Sequence, residues 1–163
     1  MEEKTQGFGE TLLQLVTFNI GDEEFGVDIL RVQEIIRSMD ITRVPQSPAF
    51  VDGVINLRGK VIPIISLRRR FGVDVKAVDK QTRIIVVEIV GMVVGFVVDG
   101  VSEVLRIDAA TVEPPPAIVS GVDAEYIKGV GKLDDRLLIL LDLNTLLSEE
   151  EHGSLGASCQ AAA

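Results

Sequence analysis

Residues 53–67 read GVINLRGKVIPIISL, and the fold is decided there. Gly53, Val54 and Ile55 begin an apolar run. Asn56-Leu57-Arg58-Gly59-Lys60 breaks it, and Val61-Ile62-Pro63-Ile64-Ile65 resumes it. Gly59 has no Cβ and takes a positive φ without a clash, so a tight reversal is expected at that point. The second run is apolar at nearly every position, which marks a strand covered on both faces. A strand, a tight turn and a buried strand make a hairpin, with one arginine displayed on its turn.

The composition surrounding this hairpin agrees with a sheet protein. The chain has 163 residues, 47% of them hydrophobic, but only 4% are aromatic and none is Trp. Its core must be built from Val, Ile and Leu, and the branched pair favours pleated sheets. A net charge of −9 argues against binding nucleic acid or an anionic membrane surface. Residues 1–10, MEEKTQGFGE, lack the cationic start and apolar core of a signal peptide. From Ile89 to Val98 only ten residues run without charge, against the ~20 a membrane helix needs. Gly91 and Gly95 within that run read as a hairpin turn and a strand glycine. The single cysteine, Cys159, excludes an intrachain disulfide, and a reducing, cytoplasmic setting is expected.

Taken in order, residues 12–20 alternate from Val16 onward and predict a half-buried strand, with Thr17 and Asn19 facing water. A turn at 21–24 and a strand at 25–29 complete a hairpin. Residues 29–37 fit either a helical turn or a strand; a short turn followed by a strand through Thr42 is the preferred reading. Pro45 and Pro48 force a loop. Ser47 is placed to cap one helical turn over 48–51. Residues 67–71 end in cations before Gly72, the pattern of a short helix and its C-cap. Strands are expected at 82–90 and 92–98, and at 126–133 and 137–143 about a turn at Asp134-Asp135. Residues 99–107 resemble 30–38. Pro114, Pro115 and Pro116 make a rigid loop, and 143–148 suits a closing helical turn.

The chain uses one plan twice. A shift of 69 residues places Gly26 on Gly95, Val32 on Val101, Glu34 on Glu103 and Ile35 on Val104. A shift of 76 places Gly53 on Gly129, Leu57 on Leu133, Val61 on Leu137 and Leu67 on Leu143. The seven additional residues fall in the proline-rich loop. Glycines and apolar positions recur, so the fold uses them. Asn56, Arg58 and Gly59 do not recur, and Asp134 and Asp135 stand at the places of the last two. Arg58 is therefore a candidate for binding, with a solvated ion pair to an acid such as Glu34 as the alternative.

Catalytic chemistry is missing. His152 and Cys159, the chain's only residues of their kinds, both lie in the C-terminal tail, out of reach of a packed partner. There is no zinc spacing, phosphate loop or calcium-loop pattern. What remains is a β protein with an aliphatic core, and such a protein binds other proteins.

Several segments together carry a resemblance: FGVDILRVQEII at 25–36, VPQSPAFVDGVINLRGKVIPIISLRRRFG at 44–72, VGFVVDGVSEVL at 94–105 and YIKGVGKLDDRLLILLDLNTLL at 126–147. The chain resembles the CheW family, the coupling adaptors of bacterial chemotaxis. The resemblance implies an all-β fold of two SH3-like five-stranded β-barrel subdomains packed around a shared hydrophobic core, with short helices. It covers a single domain over 12–148, with two intertwined subdomains between a flexible segment 1–11 and a disordered tail 149–163. It further implies a non-enzymatic, cofactor-free bridge between the cytoplasmic tip of methyl-accepting chemoreceptors and the regulatory domain of the histidine kinase CheA. Carried over by motif, Val32 and Glu34 in VQEI, Gly53 and Arg58 in GVINLRG, and Val101 in the second copy are the implied partner-binding residues. Val32 and Val101 would wall a groove between the barrels for a receptor helix, and Arg58 and Glu34 would form its polar rim. A small-ligand sensory barrel is the second reading of the same sequence, and a hydrolase the third.

Overall fold

In a computed structural model, which describes residues 12–74, 77–114, 118–119 and 122–147, residues 53–67 form the hairpin expected of them. Strand β1 (Leu12–Ile20) and β2 (Glu23–Asp28) pair antiparallel. A 3-10 turn (Ile29–Arg31), capped by the Asp28 side chain, leads into β3 (Val32–Arg37). The hairpin β4 (Val51–Leu57) and β5 (Lys60–Ser66) runs into the one-turn helix α1 (Leu67–Arg70), with Ser66 as its N-cap and Gly72 at φ +75° beyond its end. Strands β6 (Arg83–Ile89), β7 (Met92–Val98) and β8 (Gly100–Asp108) follow. The short β9 (Val112–Glu113), β10 (Ile118–Val119) and β11 (Val122–Asp123) precede the final hairpin, β12 (Ile127–Lys132) and β13 (Leu137–Leu141).

Two sheets carry the fold. One has the order β3-β6-β7-β5-β4, the other β8-β1-β2-β13-β12-β9, and β10 pairs with β11 apart from them. The internal repeat appears in the pairing itself. Phe18 opposite Phe25 becomes Val87 opposite Val94, and Gly53 opposite Ile64 becomes Gly129 opposite Leu140. The parallel contact Ile64–Gly95 has its counterpart in Leu140–Gly26. The shift also relates β1 to β6, a match hidden in sequence because only the apolar pattern is kept. Each sheet takes its central hairpin from one copy and the flanking strands from the other. Thus β1–β2 sits among second-copy strands, and β6–β7 among first-copy ones.

The chain leaving β3 crosses to the far edge of its sheet, where Thr42 and Val54 exchange backbone hydrogen bonds of 2.9 and 2.8 Å. The two-residue β9 does the same for the other sheet by pairing with β12. That is why the second sheet counts six strands where five were expected. Three apolar clusters result. A small one fills the interior of each barrel: Ile55, Ile62, Ile64, Ile84 and Val86 in the first, and Leu15, Ile107, Leu138 and Leu140 in the second. A larger one, with Phe18, Phe25, Phe71, Ile85 and Phe96, lies between them and is shared.

Some local expectations fail for identifiable reasons. Strand β3 stops at Arg37, and Thr42 forms only an isolated bridge, because the chain must bend between the two sheet edges. Residues 48–51 make a single hydrogen-bonded turn, not a helical one, and the Ser47 hydroxyl turns back to donate to the Val44 carbonyl at 2.9 Å. Thr17 is buried rather than solvent-facing: Val16 and Phe18 take the face of β1 toward the shared core, and the face that Thr17 shares with Leu15 turns to the second barrel's own cluster. Its hydroxyl donates to the Glu103 carbonyl at 3.0 Å and accepts from the Glu103 N–H at 3.2 Å, so a bulge there leaves no polar group unsatisfied. Residues 143–147 form turns instead of a helix. The segment 1–11, Pro115 and Pro116, Ser148 and the tail 149–163 lie outside the described residues.

Candidate functional site

The β4–β5 turn holds Arg58 at φ +52° and Gly59 at φ +86°. Two consecutive left-handed residues match a two-residue hairpin turn, in which glycine or asparagine is the usual first residue. An arginine there carries steric strain from its Cβ. The Asn56 side chain supports the turn by accepting from the Gly59 N–H at 2.9 Å. Arg58 reaches over the mouth of the first barrel and meets Glu34 with both arms of the guanidinium: Nη1 donates to Oε1 at 3.3 Å, and Nη2 to Oε2. The arginine side chain remains 70% exposed. The Glu34 hydrogen bond, then its charge, raises the Arg58 pKa further above its ordinary value. A cavity of about 200 Å³ opens beneath the pair, against Leu57, Ile62 and Val86.

The second barrel answers this arrangement from a different position. Arg136, the repeat mate of Lys60, donates to Glu24 at 2.5 Å, to Glu103 at 3.3 Å and to its neighbour Asp135 at 3.0 Å. Glu103 is the mate of Glu34. Both barrels therefore set an arginine on the equivalent glutamate, two turn positions apart. Sequence comparison position by position finds only Asp134 opposite Arg58 and misses it. What is private to the first barrel is the strained placement of the cation, not the ion pair.

The five residues expected to bind partners do not form one patch. Directly opposed residues of an antiparallel pair project to the same face. Val32 faces with Val87 and Val101 with Phe18, and both valines, half-buried, pack on the shared central cluster. Glu34 faces with Val86, toward the interior of the first barrel, and there it joins Arg58. Gly53 is buried at φ +147°, where an added Cβ would lie 2.2 Å from the Thr42 carbonyl oxygen. Its glycine is thereby explained by backbone packing, which also positions the Arg58 turn. Beside it, burial pushes the Asp52 carboxyl above its ordinary pKa, against the opposing charges of Arg69 and Arg43.

A groove of about 330 Å³, missed in the sequence, runs beside Val32 where the chain crosses between sheets. Leu13, Ile29, Leu30, Leu141 and Leu143 line it, with Asp28, Arg31 and Lys128 as polar edges. Leu30 is 88% exposed, the most open of the large apolar side chains among the described residues. Arg31 anchors this crossing by donating to the Glu88 carbonyl at 3.1 and 2.9 Å and to Asn144 at 3.1 Å. The signal was present in ILRVQEII: Leu30 fits neither the alternation of β3 nor a buried helical stripe. Among the described residues no group of three or more His, Cys, Asp or Glu side chains is placed to hold a metal ion, and no helix is long and apolar enough to cross a membrane.

Comparison with known proteins gives this geometry a family. Residues 14–151 match the CheW-like domain. The chain is 45% identical over 144 residues to the chemotaxis protein CheW of Klebsiella aerogenes, covering 88% of this chain and 87% of that protein. It is 39% identical to the chemotaxis protein CheW of Helicobacter pylori, covering 86% and 85%. The solved structure of the scaffolding protein TtCheW from Thermoanaerobacter tengcongensis superposes with a TM-score of 0.80 at 39% identity, over 86% of this chain and 96% of that one. By the match along the domain, the identity and the superposed fold, this chain belongs to the CheW family of chemotaxis proteins.

Proposed function

We propose that the protein is a non-enzymatic adaptor that holds a receptor helix and a kinase domain at once. The receptor partner is the cytoplasmic tip of methyl-accepting chemoreceptors, and the kinase partner is the regulatory domain of the histidine kinase CheA. The protein works in the cytoplasm, at membrane receptor arrays, without a cofactor. The observation that supports this reading most strongly is Leu30, exposed at the edge of an apolar groove beside the seam between the barrels. Burying one leucine contributes about 1.5–3 kcal/mol, enough to anchor an amphipathic helix laid along the groove. In this reading Val32 and Val101 support the seam from the shared core, Glu34 and Arg58 make a separate polar contact at the mouth of the first barrel, and Gly53 sets the geometry of its turn.

Two variants separate binding from folding. Leu30→Glu is expected to weaken binding to a receptor cytoplasmic fragment by about tenfold or more, with an unchanged melting curve. Arg58→Gly relieves the left-handed arginine, so its Tm should stay level or rise by about 3 °C while partner binding falls. Titration against the fragment, alongside thermal melting, measures both. Undiminished binding by both variants would remove the groove and the turn from the function.

A further inference from the structure

The chain passes from one sheet to the other at two places that the internal repeat makes equivalent. One crossing joins β7 to β8 at Asp99, and the other joins β2 to β3 through the 3-10 turn Ile29–Arg31. The shift of 69 sets Leu30 on Asp99, Arg31 on Gly100 and Asn19 on Glu88. The shift of 76 sets Arg68 on Asn144.

At its crossing Asp99 makes two kinds of bond. Its N–H donates to the Asn19 carbonyl at 2.9 Å, and its carboxylate accepts from Arg68 at 3.0 and 2.5 Å. The other crossing fills the same two places with a different residue. The Glu88 carbonyl, mate of the Asn19 carbonyl, accepts from Arg31 Nε at 3.1 Å and Nη2 at 2.9 Å. Arg31 Nη2 also donates to Oδ1 of Asn144, the mate of Arg68, at 3.1 Å. The polarity is reversed: one crossing carries a carboxylate toward a cation, the other a cation toward an amide. The Leu30 N–H, mate of the Asp99 N–H, turns instead to the Asp28 carboxylate at 2.9 Å.

Asp99 must point into its seam to act as the anchor, and its side chain is largely covered there. At the other seam Arg31 does the pinning, so position 30 is released from it and carries the exposed leucine at the groove's edge. We infer that Arg31 is the positioning residue of the groove: it pins the crossing chain to Glu88 and Asn144 and so holds Leu30 outward for the partner helix. The inference rests on the adaptor reading above, in which Leu30 is the anchor. A planar guanidinium with its donors in a fixed fork suits the task, because one side chain then fixes two elements at once. An anchor held in its bound position lowers the ordering cost of association.

The test is titration of a receptor cytoplasmic fragment against wild type, Arg31→Ala, Asn144→Ala, Leu30→Ala and the double variant Leu30→Ala/Arg31→Ala. Thermal melting accompanies it, with amide exchange at Leu30 and Val32, whose N–H groups donate to the Asp28 carboxylate and the Ile29 carbonyl. Arg31→Ala is expected to bind about three- to tenfold more weakly, with faster exchange at both amides. Asn144 does not line the groove, so Asn144→Ala loosens Arg31 without touching the partner. It should bind about twofold more weakly, and it carries the test if Arg31→Ala melts early. Because Arg31 acts through Leu30, the double variant should bind no more weakly than Leu30→Ala alone. Weaker binding by Arg31→Ala with unchanged exchange, or losses that add in full in the double variant, would make Arg31 a direct contact and overturn the inference. Wild-type affinity in Arg31→Ala and Asn144→Ala beside a weakened Leu30→Ala would overturn it and leave the groove reading standing. Wild-type affinity in Leu30→Ala would overturn both.

Discussion

Gly53→Ala is expected to lower stability by about 2–6 kcal/mol, combining backbone strain of ~1–3 with overpacking of ~1–3. In Tm this amounts to roughly 5–20 °C for a chain of this size. The reason is doubly geometric. Gly53 sits at φ +147°, and its missing Cβ would fall 2.2 Å from the Thr42 carbonyl oxygen and 2.8 Å from the Ile41 side chain. Backbone cannot yield there without breaking the Thr42–Val54 bonds that join the edges of the first sheet. Its repeat mate provides the control. A Cβ on Gly129 would meet the Val112 side chain at 2.5 Å and the Glu113 carbonyl at 3.0 Å, and a side chain can turn aside. Gly129→Ala should therefore cost about 1–3 kcal/mol. Chemical denaturation of the two variants checks the order; equal losses would mean that the first sheet's edge closure carries no special weight.

Asp99→Ala should cost about 3 kcal/mol, well beyond the other charged residues. Asp99 sits where the chain passes from β7 in one sheet to β8 in the other. Its carboxylate takes two bonds from Arg68, Nε at 3.0 Å and Nη2 at 2.5 Å, and a third from the Gly21 N–H at 2.7 Å. Its own N–H donates to the Asn19 carbonyl at 2.9 Å. Thus one residue ties the β1–β2 turn of the second barrel to the helix that follows β5 of the first. The two side chains are only 17% and 15% exposed, and the Asp99 hydrogen bond is the leading cause of the upward shift in the Arg68 pKa. Removing the carboxylate leaves a largely covered guanidinium without its partner, which is expensive. Exposed pairs such as Lys132–Glu113, at 60% and 54%, should contribute 1 kcal/mol or less. A denaturation midpoint within error of wild type for Asp99→Ala would contradict this picture of how the barrels are held together.

The hairpins were legible in the sequence because their period-two patterns and glycine turns are local. The repeat was legible because both copies keep glycine and apolar residues at matching places. The exchange of hairpins between sheets was not, since it depends on which strand lies beside which, and β6 carries no residue that distinguishes β3 from β8 as its neighbour. Thr17 was misread for a related reason: alternation reports one covered face, but β1 has the shared core on one face and the second barrel's interior on the other. Among the site residues, Arg58 and Glu34 meet in the exposed ion pair that the sequence offered as the alternative to a binding role. Leu30 escaped although its misfit to both periods was readable in ILRVQEII, because only the 3-10 turn shows that it points outward. Arg136 escaped because the second barrel supplies its cation two positions further along the turn.

A protein that bridges two partners brings one down with the other. Vesicles displaying receptor cytoplasmic fragments are sedimented with CheA, with and without this chain. The chain is expected to pellet with the vesicles and to carry additional kinase down with it, and Leu30→Glu to reduce both effects about tenfold or more. Kinase that pellets to the same extent without the chain, or a chain left in the supernatant at micromolar concentrations of all components, would contradict the bridging role.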